Sequence, residues 1–137
     1  MKFVGLIPAG GFGSRLGNLP FSKEIFPEVS SKGEISVISS NLISYYKQAS
    51  INNIFFIIRK GKWDIPEYFG DGTRWGVNIG YLMMNLSYGT PFTLNQAYPF
   101  IKDCIVGLGF PDIVFQPEDA FVHLKTKLLK SKCDIVL

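Results

Sequence analysis

The chain has 137 residues, 47% of them hydrophobic and 18% charged, a balance that excludes disorder as the resting state and supplies core for one domain. Its formal charge of +3 is too mild for a nucleic-acid surface, which needs a denser basic patch. The basic clusters, "RKGK" from Arg59 to Lys62 and the lysines at 125, 127, 130 and 132, read as solvated loop and helix faces as readily as an anion site.

In chain order, residues 2–9 ("KFVGLIPA") form a short apolar run that predicts a buried strand. The run is too short for a signal peptide or a membrane span, which points to a soluble cytoplasmic protein. A glycine-rich stretch follows, "GGFGSRLGNLPFSK". Residues 37–49 place Ile38, Leu42, Tyr45, Tyr46 and Ala49 at helical spacing, with Ser36 as a candidate cap. "NIFFIIR" (Asn53–Arg59) is a continuous β-branched and aromatic run, as in a strand covered on both faces. "KGKWDIPEYFGDGTRWGV" reads as irregular, and "NIGYLMM" (Asn78–Met84) as another strand. "TPFTLNQAYPFI" predicts a helix with Thr90 as cap and Pro91 at its first position. "DCIVGLGF" (Asp103–Phe110) is a buried strand, and "PEDAFVHLKTKLLKSK" a helix with Pro117, Glu118 and Asp119 in its first turn. "CDIVL" (Cys133–Leu137) predicts one more strand.

Alternating strands and helices imply an α/β fold with a parallel sheet and helices on its faces, because parallel neighbours need crossover connections. Ligands of such sheets bind beyond the carboxyl ends of the strands. The loops after the first strand and after "CIVGLGF" both fall on that edge. Cys104 and Cys133 match no metal spacing and sit in apolar runs, which predicts buried free thiols in a reducing compartment. His123, in mid-helix, is given no role; Trp63 and Trp75 read as core or loop-flanking residues, and Asp71 as a turn residue.

Gly10, Gly11 and Gly13 permit torsions and close approaches that side chains forbid, so their amides can surround an anion. Arg15 adds a rigid fork of donors and Lys23 a compact mobile charge, both suited to phosphate oxygens. Alternatively, the stretch is a tight strand-to-helix turn with an exposed arginine. A Walker loop is absent, since no glycine–lysine–serine or –threonine occurs. A dinucleotide fingerprint starting at Gly11 and Gly13 needs a third glycine where Leu16 stands; Gly17 is one place late. Glu34 lies at the distance of a ribose-binding acid but follows glycine in a polar turn, so a dinucleotide-dependent oxidoreductase stays as an alternative.

"LIPAGGFGSRLGNLPFSKEIFPEV" resembles the signature of sugar-1-phosphate nucleotidyltransferases: Gly10, Gly11, Gly13, Ser14, Arg15, Leu16, Lys23 and Pro27 fall in place. "FGDGTRWGVNIGY" and "GTPFTLNQA" resemble successive segments of the thymidylyltransferases that act on glucose 1-phosphate, and "VGLGFPDIVF" resembles the strand ending in their metal-binding aspartate. The resemblance implies a Rossmann-like three-layer sheet of the nucleotide-diphospho-sugar transferase type. It also implies a reaction in which a sugar 1-phosphate oxygen attacks the α-phosphorus of a nucleoside triphosphate and pyrophosphate leaves. The 10–15 loop would hold the β- and γ-phosphates, Arg15 would stabilise the leaving pyrophosphate, and Lys23 would steady the α-phosphate. Asp112 would bind Mg²⁺, and Gly89 would lie near the base.

Where thymidylyltransferases commonly place a base-reading glutamine, this chain has "LMMNLSYG", with Asn85 as the nearest polar group, so dTTP leads UTP, with CTP behind. "GFPD" also resembles the leucine–proline–aspartate of the uridylyltransferases. Enzymes of this family are about twice as long, and their second half supplies the sugar contacts and a further metal-binding aspartate. Residues 1–137 are therefore expected to be the nucleotide-binding, amino-terminal portion, self-associating and with little turnover alone. A nucleotide-binding or regulatory module without turnover is the second alternative.

Overall fold

A computed structural model describes residues 2–29, 32–131 and 133–137. Its centre is a four-stranded sheet of β1 (Lys2–Pro8), β4 (Asn53–Arg59), β5 (Asn78–Met84) and β6 (Cys104–Leu108), ordered β5-β4-β1-β6 and parallel throughout. Between β1 and β4 lie a small antiparallel pair, β2 (Pro27–Val29) with β3 (Ile35–Val37), and the helix α1 (Ile38–Gln48). The other helices are α2 (Asp64–Phe69), α3 (Thr90–Asn95), α4 (Tyr98–Ile101) and α5 (Ala120–Lys130).

The two faces of the sheet are covered separately, which is why β4 is apolar at consecutive positions. Ile54, Phe56 and Ile58 join Leu42, Tyr46, Ile65 and Phe121 on the face of α1, α2 and α5. Ile57 joins Val4, Leu6, Ala97 and Ile101 on the face of α3 and α4. Burying each such side chain fully contributes roughly 1.5–3 kcal/mol. Tyr46 lies directly on the strands and shares its hydroxyl between the carbonyls of Leu6 (3.1 Å) and Gly107 (2.8 Å). A Cβ on Gly5 would stand 2.9 Å from its ring, so glycine is what lets that helix sit so close.

Several expectations are corrected. "CDIVL" is not a strand: Ile135 and Leu137 are exposed, and no described strand runs beside them to complete a ladder. Ser36 is part of β3 rather than a cap; the Val37 amide instead meets Ser40 Oγ at 3.3 Å. Gly89, not Thr90, caps α3, and the expected single helix divides into α3 and α4, with Pro99, which has no amide to continue the hydrogen-bond ladder of α3, in the first turn of α4. Pro117, Glu118 and Asp119 precede α5 instead of forming its first turn. The stretch read as irregular contains α2, started by Asp64 and Ile65 with Pro66 in its first turn, where a missing amide costs little. Cys133 is exposed and Cys104 half-buried. Lys132 lies outside the described residues.

Candidate phosphate site

From β1 the chain crosses to β4 on one side, while β6 returns to pair with β1 on the other. The strand order thus reverses at β1, and the carboxyl ends of β1 and β6 form the switch point outside which sheets of this kind bind ligands. The glycine loop leaves β1 there and Asp112 follows β6 there.

Gly10 is buried against the end of β5; a Cβ on it would fall 1.8 Å from Met84 Cε. Gly11 faces open space. Gly13 (φ 67°) is left-handed, and its carbonyl accepts the Leu16 amide at 2.9 Å, closing a 3₁₀ turn over Ser14–Leu16. Ser14 and Arg15 are exposed, and the Arg15 side chain has no hydrogen bond, ion pair or ring contact among the described residues. A second 3₁₀ turn, Lys23–Ile25, carries Lys23 back towards β6, where its Nζ meets Asp112 Oδ2 at 2.5 Å. The fold thus brings together residues 89 positions apart, both partly open to solvent at 24% and 38%. Asn85 lines a separate cavity of about 240 Å³ at the end of β5, with Leu86, Tyr88 and Phe92. Gly89 (φ 99°) follows that cavity at the start of α3. Met84 borders this cavity and also backs Gly10, so the two regions share a wall.

Other groups were not singled out from the sequence. A cleft of about 330 Å³ lies between the loop and the β4–α2 turn, lined by Phe12, Gly13, Ser22, Lys23, Arg59 and Lys62 among others. The Arg59 guanidinium stands 4.2 Å over the Phe12 ring, and its buried Nε has no acceptor among the described residues. Lys62, which the sequence leaves open between a solvated face and an anion site, is buried and bonds both carboxylate oxygens of Glu24 at 2.8 and 2.7 Å. Burial holds the Lys62 ammonium below the ordinary lysine range, opposed by Glu24 and reinforced by Arg59 and Lys23. Ser22 gives its amide and hydroxyl to the two oxygens of Asp64 at 2.6 and 2.7 Å. The one sequence signal for this arrangement was a glutamate directly after Lys23.

The other side-chain readings are simpler. The Thr73 amide donates to Asp71 Oδ1 at 2.9 Å, which fixes a turn and holds the Asp71 carboxyl below its ordinary range. Trp75 packs beside Phe69 and Tyr68, whereas Trp63 is largely exposed. His123 pairs only with Asp119 on the surface, at 3.0 Å. Among the described residues, no cluster of three or more histidines, cysteines or carboxylates could cage a metal. Asp112 is a single, accessible carboxylate. That donor fits Mg²⁺, which is commonly held by one or two carboxylates plus substrate phosphates and water.

The architecture is Rossmann-like α/β, of the nucleotide-sugar transferase type. No family model and no curated protein matches the chain. Among solved structures it is similar to a protein from Bacillus anthracis described as a glucose-1-phosphate thymidylyltransferase and crystallised with a sucrose, with a TM-score of 0.80 and 23% identity. The match covers 92% of this chain and 51% of that one, so this chain spans about half its length. At that identity the likeness establishes a nucleotidyltransferase-like fold. No helix among the described residues is long and apolar enough to cross a membrane.

Proposed function

We propose that this chain binds a nucleoside triphosphate, dTTP in preference to UTP, and forms the nucleotide half of a transferase that joins it to a sugar 1-phosphate with loss of pyrophosphate. The observation that carries this reading is the meeting of Lys23 and Asp112 at the strand switch point, beside a glycine loop whose Arg15 has no hydrogen-bond or ion-pair partner among the described residues.

Such a transfer needs alignment and charge neutralisation more than covalent help. The Gly10, Gly11 and Gly13 amides and the Ser14 hydroxyl would take the β- and γ-phosphates. Arg15, unpaired among the described residues, would spread the charge of the departing pyrophosphate over its fork of donors. Lys23 would hold the α-phosphate, exchanging its carboxylate partner for phosphate oxygens. Asp112, with phosphate oxygens and water, would hold a Mg²⁺ ion, which supplies further charge neutralisation when bound. Asn85 and Gly89 would bound the base, with the Asn85 amide offering a donor and an acceptor.

Calorimetric titration with dTTP, UTP, CTP and NAD, each with and without Mg²⁺, tests the reading. Mg²⁺-dependent binding in the order dTTP, UTP, CTP is expected; preference for NAD would instead favour an oxidoreductase. We also propose self-association through the β6 side. Val106, Leu108, Phe110, Ile113 and Val114 are exposed there, and β6 is an edge of the sheet. Sedimentation velocity at rising concentration is expected to show species larger than a 15.3 kDa monomer; a monomer throughout contradicts it.

A further inference from the structure

Glu24 and Lys62 take no part in the chemistry just described, yet both are charged and buried, with side-chain exposures of 0% and 5%. Removing two charges from water is costly, and a well-packed apolar pair of similar volume is often as stable or more so. Stability alone is therefore a weak reason for such a pair, and what it holds in place is more informative.

Glu24 directly follows Lys23 within the 3₁₀ turn, and its backbone carbonyl accepts a hydrogen bond from Ser39 Oγ. Ser22 directly precedes Lys23 and is bound at two atoms by Asp64. Lys62 lies in the short turn between β4 and α2, and Asp64 is the first residue of that helix. The residues on either side of Lys23 are thus gripped from one segment, while the Lys23 side chain stays free to reach the switch point and Asp112. A lysine stem is long and flexible, so its aim depends on how firmly its own backbone is held.

We propose that Ser22–Asp64 and Glu24–Lys62 are a positioning clamp that aims Lys23 at the phosphate site, a role that rests on the nucleotide reading above. None of the four touches the phosphates; they act through Lys23. Loss of the clamp is expected to weaken triphosphate binding about tenfold, the lower end of what a hydrogen bond to a charged group contributes.

The test measures dTTP affinity with Mg²⁺ by calorimetry, beside the thermal midpoint, for the full chain. The variants are Glu24→Leu/Lys62→Met, Asp64→Asn, and each of these combined with Lys23→Ala. The first keeps the interior filled and uncharged; the second alters a partly exposed site and serves if the first does not fold. The clamp predicts about tenfold weaker dTTP binding at a near-unchanged midpoint, with little further loss once Lys23 is already alanine. It is overturned if the parent chain binds dTTP and the variants bind equally well, or if their losses add in full to that of Lys23→Ala. A parent chain that does not bind dTTP rejects the nucleotide reading itself and the clamp with it, a result distinct from either.

Discussion

The two halves of the loop after β1 are built differently. Residues 11–17 are mostly exposed, shaped by left-handed Gly13 and Gly17 and one 3₁₀ turn, and they leave Arg15 unengaged. Residues 22–25 are tied down by a buried ion pair and a two-point carboxylate contact from the β4–α2 turn. The first half keeps its donors uncommitted, as the proposed anion receptor requires; the second fixes the backbone that carries Lys23, the cation proposed to meet the α-phosphate. A ligand would complete the first half, whereas the second is already complete.

The largest effect is expected from breaking the second half on one side only. Lys62→Ala strands the Glu24 carboxylate in the interior and should cost about 3–5 kcal/mol of stability, read by urea unfolding. A loss within experimental error would mean that water reaches Glu24 and that the half is less firmly held than its geometry indicates.

The first half should respond in the opposite way. Arg15→Ala removes an exposed side chain without partners, so stability should stay within about 0.5 kcal/mol of the parent. Triphosphate binding should nevertheless weaken about ten- to a hundredfold, because a charge-assisted fork is lost, while nucleoside binding is retained. Equal loss for nucleoside and triphosphate in the same titrations would remove the role given to Arg15.

The same contrast marks what could be read from the sequence. The strands at 2–8, 53–59, 78–84 and 104–108 were legible because each is a short apolar run bounded by turn residues. "CDIVL" carries the same signal and is not a strand, since a strand also needs a neighbour, and local pattern does not encode neighbours. The α2 helix was hidden by Pro66, which reads as a breaker until its place in the first turn is known. The glycine loop, Arg15, Lys23 and Asp112 were visible as residue types suited to phosphate and metal. The Lys23–Asp112 contact itself depends on β1 pairing with β6, a long-range fact. The burial of Lys62 was not legible because it is set by a glutamate 38 positions away.

The proposed site, at the carboxyl ends of β1 and β6, is expected to receive a triphosphate together with a divalent cation. Its most direct test is dTTP affinity across a Mg²⁺ titration for the parent chain and for Asp112→Asn. The substitution keeps the side-chain shape and removes its charge, and the half-exposed pair with Lys23 contributes at most about 1 kcal/mol to the fold. The account predicts Mg²⁺-enhanced binding in the parent, and a Mg²⁺ response abolished in a variant that still unfolds cooperatively. An unchanged Mg²⁺ response in Asp112→Asn would contradict it.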